Sequence, residues 1–335
     1  MKTFDEIFKN AEAELTKADV PEPDLNAWYL LAWCVAIDDY ESGIGDDSRT
    51  LKNDDDVTIV MDIAKRMPDR AWFMLHKNDI VKKSIAETFI RLVGYRKKRA
   101  PLEYIIRYTE FMGLPFYVNP SVLIPRQDTE CVVERALDIL KSDFPEGDAD
   151  VLDLCTGSGC IAISIKKLGN AARVMATDKS FEALKTAEVN TRINDVKIEF
   201  LQGDMWEAIK PGAKKVSCEV KDAKHDLKKE DTGFDLIISN PPYIRRAVIE
   251  TLMEEVRDYE PVMALDGGED GLAFYKSIIA EIGTFLRKGG SLVFEIGYDQ
   301  GEAVASLMRE NGFKDIQIKK DYAGCDRVVS GRHGR

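Results

Sequence analysis

Histidine and cysteine are scarce in this 335-residue chain, and long apolar runs are missing. Its three histidines, His76, His225 and His333, supply a histidine-centred catalytic apparatus poorly. Six cysteines are too few for a disulfide scaffold, and none forms a Cys-x-x-Cys pair. Cys155 and Cys160 flank a glycine turn with no histidine nearby to complete a metal site, so buried free thiols are expected, and no metal. No stretch approaches the ~20 apolar residues that span a bilayer. The opening Met1-Lys2-Thr3-Phe4-Asp5-Glu6 lacks the apolar core of a signal peptide. A cytoplasmic protein without a membrane partner is the expectation. Positive charge is also in deficit, with 47 Lys and Arg against 59 Asp and Glu. Proteins that grip a phosphate backbone usually show an electropositive face. The balance therefore favours a protein or small-molecule acceptor and requires no direct contact with nucleic acid. Arg96-Lys97-Lys98-Arg99 and Lys224 to Lys229 remain as local basic clusters.

What is present is ordinary globular composition, 44% hydrophobic and 32% charged, at a length that predicts two domains. Residues 1–100 read as a helical domain, carried by the apolar, aromatic-rich Leu25 to Ile37 and the helical spacing of Ile85, Phe89, Ile90 and Val93. Residues 38–68, with two glycines and an acidic run, are predicted to be a solvated loop-like insertion holding one short helix over 57–67. Residues 101–125 read as a β-hairpin linker. Tyr104-Ile105-Ile106 and Pro115-Phe116-Tyr117-Val118 are its strands, and Gly113 and Asn119-Pro120 its turn signals. Asp128-Thr129-Glu130 is expected to cap a helix reaching Leu140.

From Asp150 strands and helices alternate, which predicts an α/β domain over 126–335 with a doubly wound, mostly parallel sheet. The terminal pair, Ile316 to Ile318 and Arg327 to Val329, predicts an antiparallel ending and seven strands, the last beside the fifth. The charged stretch 207–232 interrupts the rhythm as an exposed insertion. A monomer is expected.

Three strand ends carry carboxylates. Asp153-Leu154-Cys155-Thr156-Gly157-Ser158-Gly159 follows a strand and opens a helix, so its glycines let the backbone approach a ligand. A dinucleotide fingerprint is satisfied equally well. Asp178 ends the second strand, where a carboxylate can accept from both ribose hydroxyls of either cofactor type. Asp204, followed by Met205, ends the third, where it could accept from an adenine amino group against an apolar wall. A Gly-Asp pair is also a common turn.

The fourth strand decides between these options. Phe234 to Ser239 runs into Asn240-Pro241-Pro242-Tyr243 at the carboxyl end where open α/β sheets hold ligands. The prolines fix the backbone and hold Asn240 extended. The Asn240 side-chain oxygen and the Pro241 carbonyl can then accept both hydrogens of one planar NH2 group. An amide nitrogen is a poor nucleophile, and two fixed acceptors would aim it at a methyl donor and favour its developing positive charge. Tyr243 offers an aromatic face to the acceptor. A nicotinamide oxidoreductase explains the glycine turn but not this tetrapeptide.

The chain resembles the release-factor glutamine methyltransferases, the protein-(glutamine-N5) methyltransferases. The matching segments are Glu110 to Phe116, Leu123 to Glu130, Asp153 to Gly159, Ile238 to Ile244, Tyr259-Glu260-Pro261, Ala264 to Gly271, Phe294 to Gly297 and Ala323 to Val329. The resemblance implies a seven-stranded class I methyltransferase domain using S-adenosyl-L-methionine and releasing S-adenosyl-L-homocysteine. It implies that Phe111, Asp153, Cys155, Thr156, Gly157, Ser158, Gly159, Asp178, Asp204, Met205 and Asn240 bind the cofactor, with the segment around Arg126 nearby. Asn240, Pro241, Pro242 and Tyr243 would hold the glutamine of the Gly-Gly-Gln loop of a peptide chain release factor, docked by the helical domain. Arg107-Tyr108 replaces a pair that in the family often contains glycine. Glutamine methylation of a ribosomal protein, or N6-adenine methylation of nucleic acid, shares the chemistry and stays open.

Overall fold

The computed structural model describes residues 2–44, 56–210, 214–216 and 233–334. The chain forms two compact units: Met1–Thr109 with Tyr117–Asn119 and Met253–Tyr259, and Glu110–Phe116 with Pro120–Leu252 and Glu260–Arg335.

The first unit holds helices α1 (Phe4–Lys17), α2 (Pro23–Ile44), α3 (Asp56–Ala64), α4 (Arg70–His76), α5 (Lys83–Arg96) and α6 (Leu102–Ile106). A capping box starts α1: Glu6 N–H donates to the Thr3 hydroxyl at 3.2 Å, and Thr3 N–H donates to the Glu6 carboxylate at 2.9 Å. The apolar run that drew attention in the sequence is the centre of α2, with Ala27, Trp28, Leu30, Leu31, Ala32, Trp33 and Ala36 all buried. A helix apolar on every side has to be surrounded, and α1, α3, α5 and α6 pack around this one. Two expectations are corrected here. Residues 38–44, predicted as loop, continue α2, and the short predicted helix is α3; residues 45–55 lie outside the described residues. Tyr104-Ile105-Ile106, predicted as a strand, is the body of α6. Pro101 sits at its N-cap, Ile106 is buried, and Arg107 ends it at φ +58°. Such a left-handed conformation favours glycine, and an arginine holds it here.

The strands β1 (Tyr108–Phe111) and β2 (Leu114–Tyr117) then form a two-stranded hairpin. In the second unit α7 (Gln127–Asp143) leads to β3 (Asp150–Leu154), α8 (Cys160–Leu168), β4 (Arg173–Asp178), α9 (Phe181–Asn194) and β5 (Glu199–Gln202). A 3-10 turn over Met205–Ala208, β6 (Lys214–Val216), β7 (Phe234–Ser239) and α10 (Arg246–Ile249) follow. After α11 (Glu254–Tyr259), which belongs to the first unit, come α12 (Ala273–Phe285), β8 (Leu286–Glu295), α13 (Gly301–Glu310), β9 (Phe313–Lys320) and β10 (Asp326–His333). Contrary to the cap expected of Asp128-Thr129-Glu130, α7 begins one residue before them, with Arg126 at its N-cap and no side-chain cap bond.

The sheet order is β6-β5-β4-β3-β7-β8-β10-β9. From β5 to β8 the neighbours are parallel, while β10 runs antiparallel between β8 and β9. These are the seven expected strands, with the last beside the fifth. An eighth, β6, not among the expected strands, pairs antiparallel to β5 inside the stretch expected to be an exposed insertion; residues 211–213 and 217–232 are outside the described residues. Period-two alternation sends Val151, Val174, Ala176, Leu236, Ile238 and Val293 to one core with α7 and α8. Leu152, Leu154, Met175, Ile237, Leu292 and Phe294 go to the other, with α12 and α13. Strand order reverses at β3, so the crevice lies at the carboxyl ends of β3, β4, β5 and β7. Among the described residues no helix is long and apolar enough to cross a membrane.

Candidate active site

At those strand ends the second unit has a cleft of about 1030 Å³, counting the part open to solvent, at the upper end of the range for small-molecule sites. Of the residues named from sequence, Cys155, Thr156, Gly157, Ser158, Asp178, Asp204, Met205, Asn240 and Pro242 line it. Phe111 does not: it is buried against Phe116, ring centroids 6.1 Å apart, in the core with α7 and α8. Asp153, Gly159, Pro241 and Tyr243 lie behind the lining.

The turn after β3 is built from below. Asp153 is buried, accepts from the Thr156 hydroxyl at 2.6 Å, and is pushed up to about 7 by burial. Thr156 N–H donates to the Thr177 carbonyl at 2.9 Å, tying the turn to β4. Gly159 takes φ +81°, and a Cβ there would stand 3.1 Å from Ala187 Cβ and from Ile163 Cδ1. Asp178 accepts from Gly157 N–H at 2.9 Å on one oxygen and from Ser180 N–H at 2.8 Å on the other. Burial raises its proton affinity against those bonds. Each oxygen keeps a lone pair for a hydroxyl in the cleft. Asp204 Oδ2 pairs with Lys179 Nζ at 2.8 Å.

Asn240-Pro241-Pro242-Tyr243 follows the end of β7. Its backbone is pressed by the Leu-Asp-Gly-Gly segment: a Cβ on Gly267 would approach Tyr243 Cα to 2.7 Å and the Pro242 carbonyl oxygen to 2.9 Å. Gln300 Nε2 donates to the Tyr243 carbonyl at 3.0 Å. Asn240 Nδ2 donates to the Thr129 hydroxyl at 3.5 Å. Among the described residues no donor meets Asn240 Oδ1 or the Pro241 carbonyl. Tyr243 does not face the cleft as a stacking surface; its hydroxyl donates to Glu295 Oε1 at 3.2 Å, and burial holds that hydroxyl well above its usual range.

Sequence reasoning missed several lining residues. Val122 to Pro125, Ile161, Ala183, Met263 and Phe274 complete an apolar wall, with Ser121 beside them. The Ile-Pro-Arg segment signalled part of it. Arg126 lines the cleft and pairs with buried Glu260, which is why Tyr259-Glu260-Pro261 accompanies that segment.

Carboxylate-bearing strand ends, a tight turn opening a helix, and a proline-fixed asparagine on the adjoining strand define a class I methyltransferase fold. The family model described as methyltransferase small domain matches residues 131–216. A release factor glutamine methyltransferase of Clostridium botulinum is 40% identical over 264 residues, covering 79% of this chain and 87% of the relative. The one from Geobacter sulfurreducens is 42% identical over 243 residues, 72% of this chain and 77% of the relative. A third, from Koribacter versatilis, is 29% identical over 330 residues, 98% of both chains. The chain belongs to the release factor glutamine methyltransferase family.

Proposed function

We propose that the protein transfers a methyl group from S-adenosyl-L-methionine to the side-chain nitrogen of the glutamine in the Gly-Gly-Gln loop of a peptide chain release factor. The observation that carries this is the polarity of Asn240. Its Nδ2 is engaged by Thr129, so Oδ1 is left as an acceptor beside the Pro241 carbonyl, at the mouth of the cleft.

The residues of the cleft fit an adenosyl cofactor. Asp178 offers lone pairs at the end of β4, Asp204 and Met205 offer a carboxylate and an apolar wall beyond β5, and the turn at Gly157 brings backbone close to the cleft. When bound, the cofactor supplies an electrophilic methyl on a sulfonium. Asn240 Oδ1 and the Pro241 carbonyl accept the two amide hydrogens of the glutamine. They orient the nitrogen lone pair and stabilise the positive charge that grows on it during transfer. The buried prolines keep both acceptors fixed, so no reorganisation is needed at the moment of reaction. A proton is then lost from a nitrogen made acidic by its charge, and no strong base is required beforehand. The helical unit serves as the docking element for the release factor.

Incubating the protein with S-adenosyl-L-methionine and a purified release factor should add one methyl group to the Gly-Gly-Gln peptide, mapped by peptide mass spectrometry. Label on ribosomal protein or nucleic acid, with none on that peptide, would overturn the substrate. Asn240→Ala should abolish transfer while cofactor binding stays measurable by calorimetry; surviving turnover would overturn the amide-holding mechanism.

A further inference from the structure

The side chain of Asn240 can sit in its pocket two ways round, and only one serves the reaction. With Oδ1 outward it accepts from a glutamine NH2; with Nδ2 outward two NH2 groups would face each other. Nothing in the tetrapeptide decides between them. The neighbour that touches the inner end is Thr129, in the first turn of α7, whose hydroxyl can accept or donate. Near that hydroxyl stands Glu295, at the end of β8, whose ionised form Thr129 favours. Both residues are buried, Thr129 at 3% exposure and Glu295 at 2%. Glu295 Oε1 also takes the Tyr243 hydroxyl at 3.2 Å, while Oε2 has no hydrogen-bond partner among the described residues.

We infer that Thr129 and Glu295 are positioning residues that fix the amide of Asn240 with its oxygen toward the substrate. An ionised carboxylate accepts only, so it takes the single Thr129 proton. The Thr129 oxygen is then left to accept from Asn240 Nδ2, and Oδ1 is turned outward. Tyr243 gives its proton to the same carboxylate, so its own role is to hold Glu295 in place. The inference rests on the methyl-transfer reading of Asn240 and adds to it the residues that set the direction of its hydrogen bonds.

The groups facing Glu295 are Tyr243, Tyr275, Cys160, Arg327 and Asp128. The two tyrosines and the cysteine are held protonated by burial, so they do not titrate near neutrality. Arg327 favours the carboxylate and Asp128 opposes it, and burial pushes Glu295 up to about 7. Below that pH the protonated carboxyl can itself donate, and the order of the chain is lost.

The test compares Thr129→Val, Thr129→Ser and Glu295→Gln with the unaltered enzyme on a purified release factor. Thr129→Val should lower kcat between about tenfold and about 100-fold, as small misplacements of a reacting group do, with S-adenosyl-L-homocysteine affinity close to that of the parent. Thr129→Ser keeps the hydroxyl and should restore most of the loss. The kcat of the parent and of Thr129→Ser should climb through about pH 7, and Glu295→Gln should be slower and lack that climb. Thr129→Val with parental kcat, or Thr129→Ser as slow as Thr129→Val, overturns the inference. So does an unchanged pH profile in Glu295→Gln. If the parent itself leaves the release factor unmethylated, the proposed function fails instead.

Discussion

Gly159 shows how much of the cleft depends on a residue that never reaches its surface. At φ +81° it turns the chain into α8, with Ala187 and Ile163 so near that a Cβ would press on both. Gly157, at φ +56°, has open space where its Cβ would go. Gly159→Ala should therefore cost more, about 1–3 kcal/mol from strain and overpacking together, with weaker S-adenosyl-L-homocysteine binding. Gly157→Ala should be milder in thermal unfolding, and the reverse order would contradict this account of the turn. At this scale the sequence disclosed the residues whose chemistry is tied to a strand end: Asp178, Asp204 and Asn240 all come to the cleft. Thr129 and Glu295 were invisible as partners. One read as a helix cap and the other as the end of a strand, and they stand in different parts of the chain. Phe111, placed near the cofactor by the family resemblance, is buried in the core and does not line the cleft, because alternation along β1 turns it inward from exposed Glu110.

Among the elements, legibility followed burial. The strands β3, β4 and β7 are buried on both faces, so their apolar runs marked them within a residue or so at either end. Helix α6 misled because Tyr104-Ile105-Ile106 carries strand propensity, and the local signal was overridden by Pro101 in front and the left-handed Arg107 behind. The acidic end of α2 misled for the opposite reason. Its composition looks like loop, but seven more residues ride on a helix already fixed by its buried centre. If that centre carries the first unit, Leu31→Ala, at a fully buried position, should destabilise it by about 2–5 kcal/mol. The loss would be read from urea unfolding followed by tryptophan fluorescence, which Trp28 and Trp33 on the same helix report. A loss well below about 1 kcal/mol would mean that α2 is not the packing centre.

Across the whole molecule, burial of carboxyl groups beneath the cleft gives stability a distinctive pH dependence. Asp153 and Glu295 are each raised to about 7, from 3.8 and 4.5. Between those limits the folded chain keeps protons that the unfolded chain has already released, so stability falls as pH rises across the window and levels off above it. Glu255, Asp266 and Asp321, held low by arginines or backbone N–H groups, act the other way, and their contribution is lost only in acid. The urea midpoint should therefore decline from about pH 5 to about pH 7, and less steeply in Glu295→Gln. A midpoint that rose over this range would contradict the buried carboxyl assignments.

The sheet order also sets how far along the chain the groups around Asn240 are drawn from. Asn240 relies on Thr129, 111 residues earlier, and the end of β7 is tied to β3 by Ser239, whose hydroxyl donates to the Leu154 carbonyl across 85 residues. Glu295 enters only with β8, and β8 is flanked on its outer side by β10. The glycine turn after β3 is local in sequence, whereas the surroundings of Asn240 are not. Contacts of such sequence separation carry a larger loop-closure cost than local ones, so Asn240 gains its neighbours after the glycine turn is made.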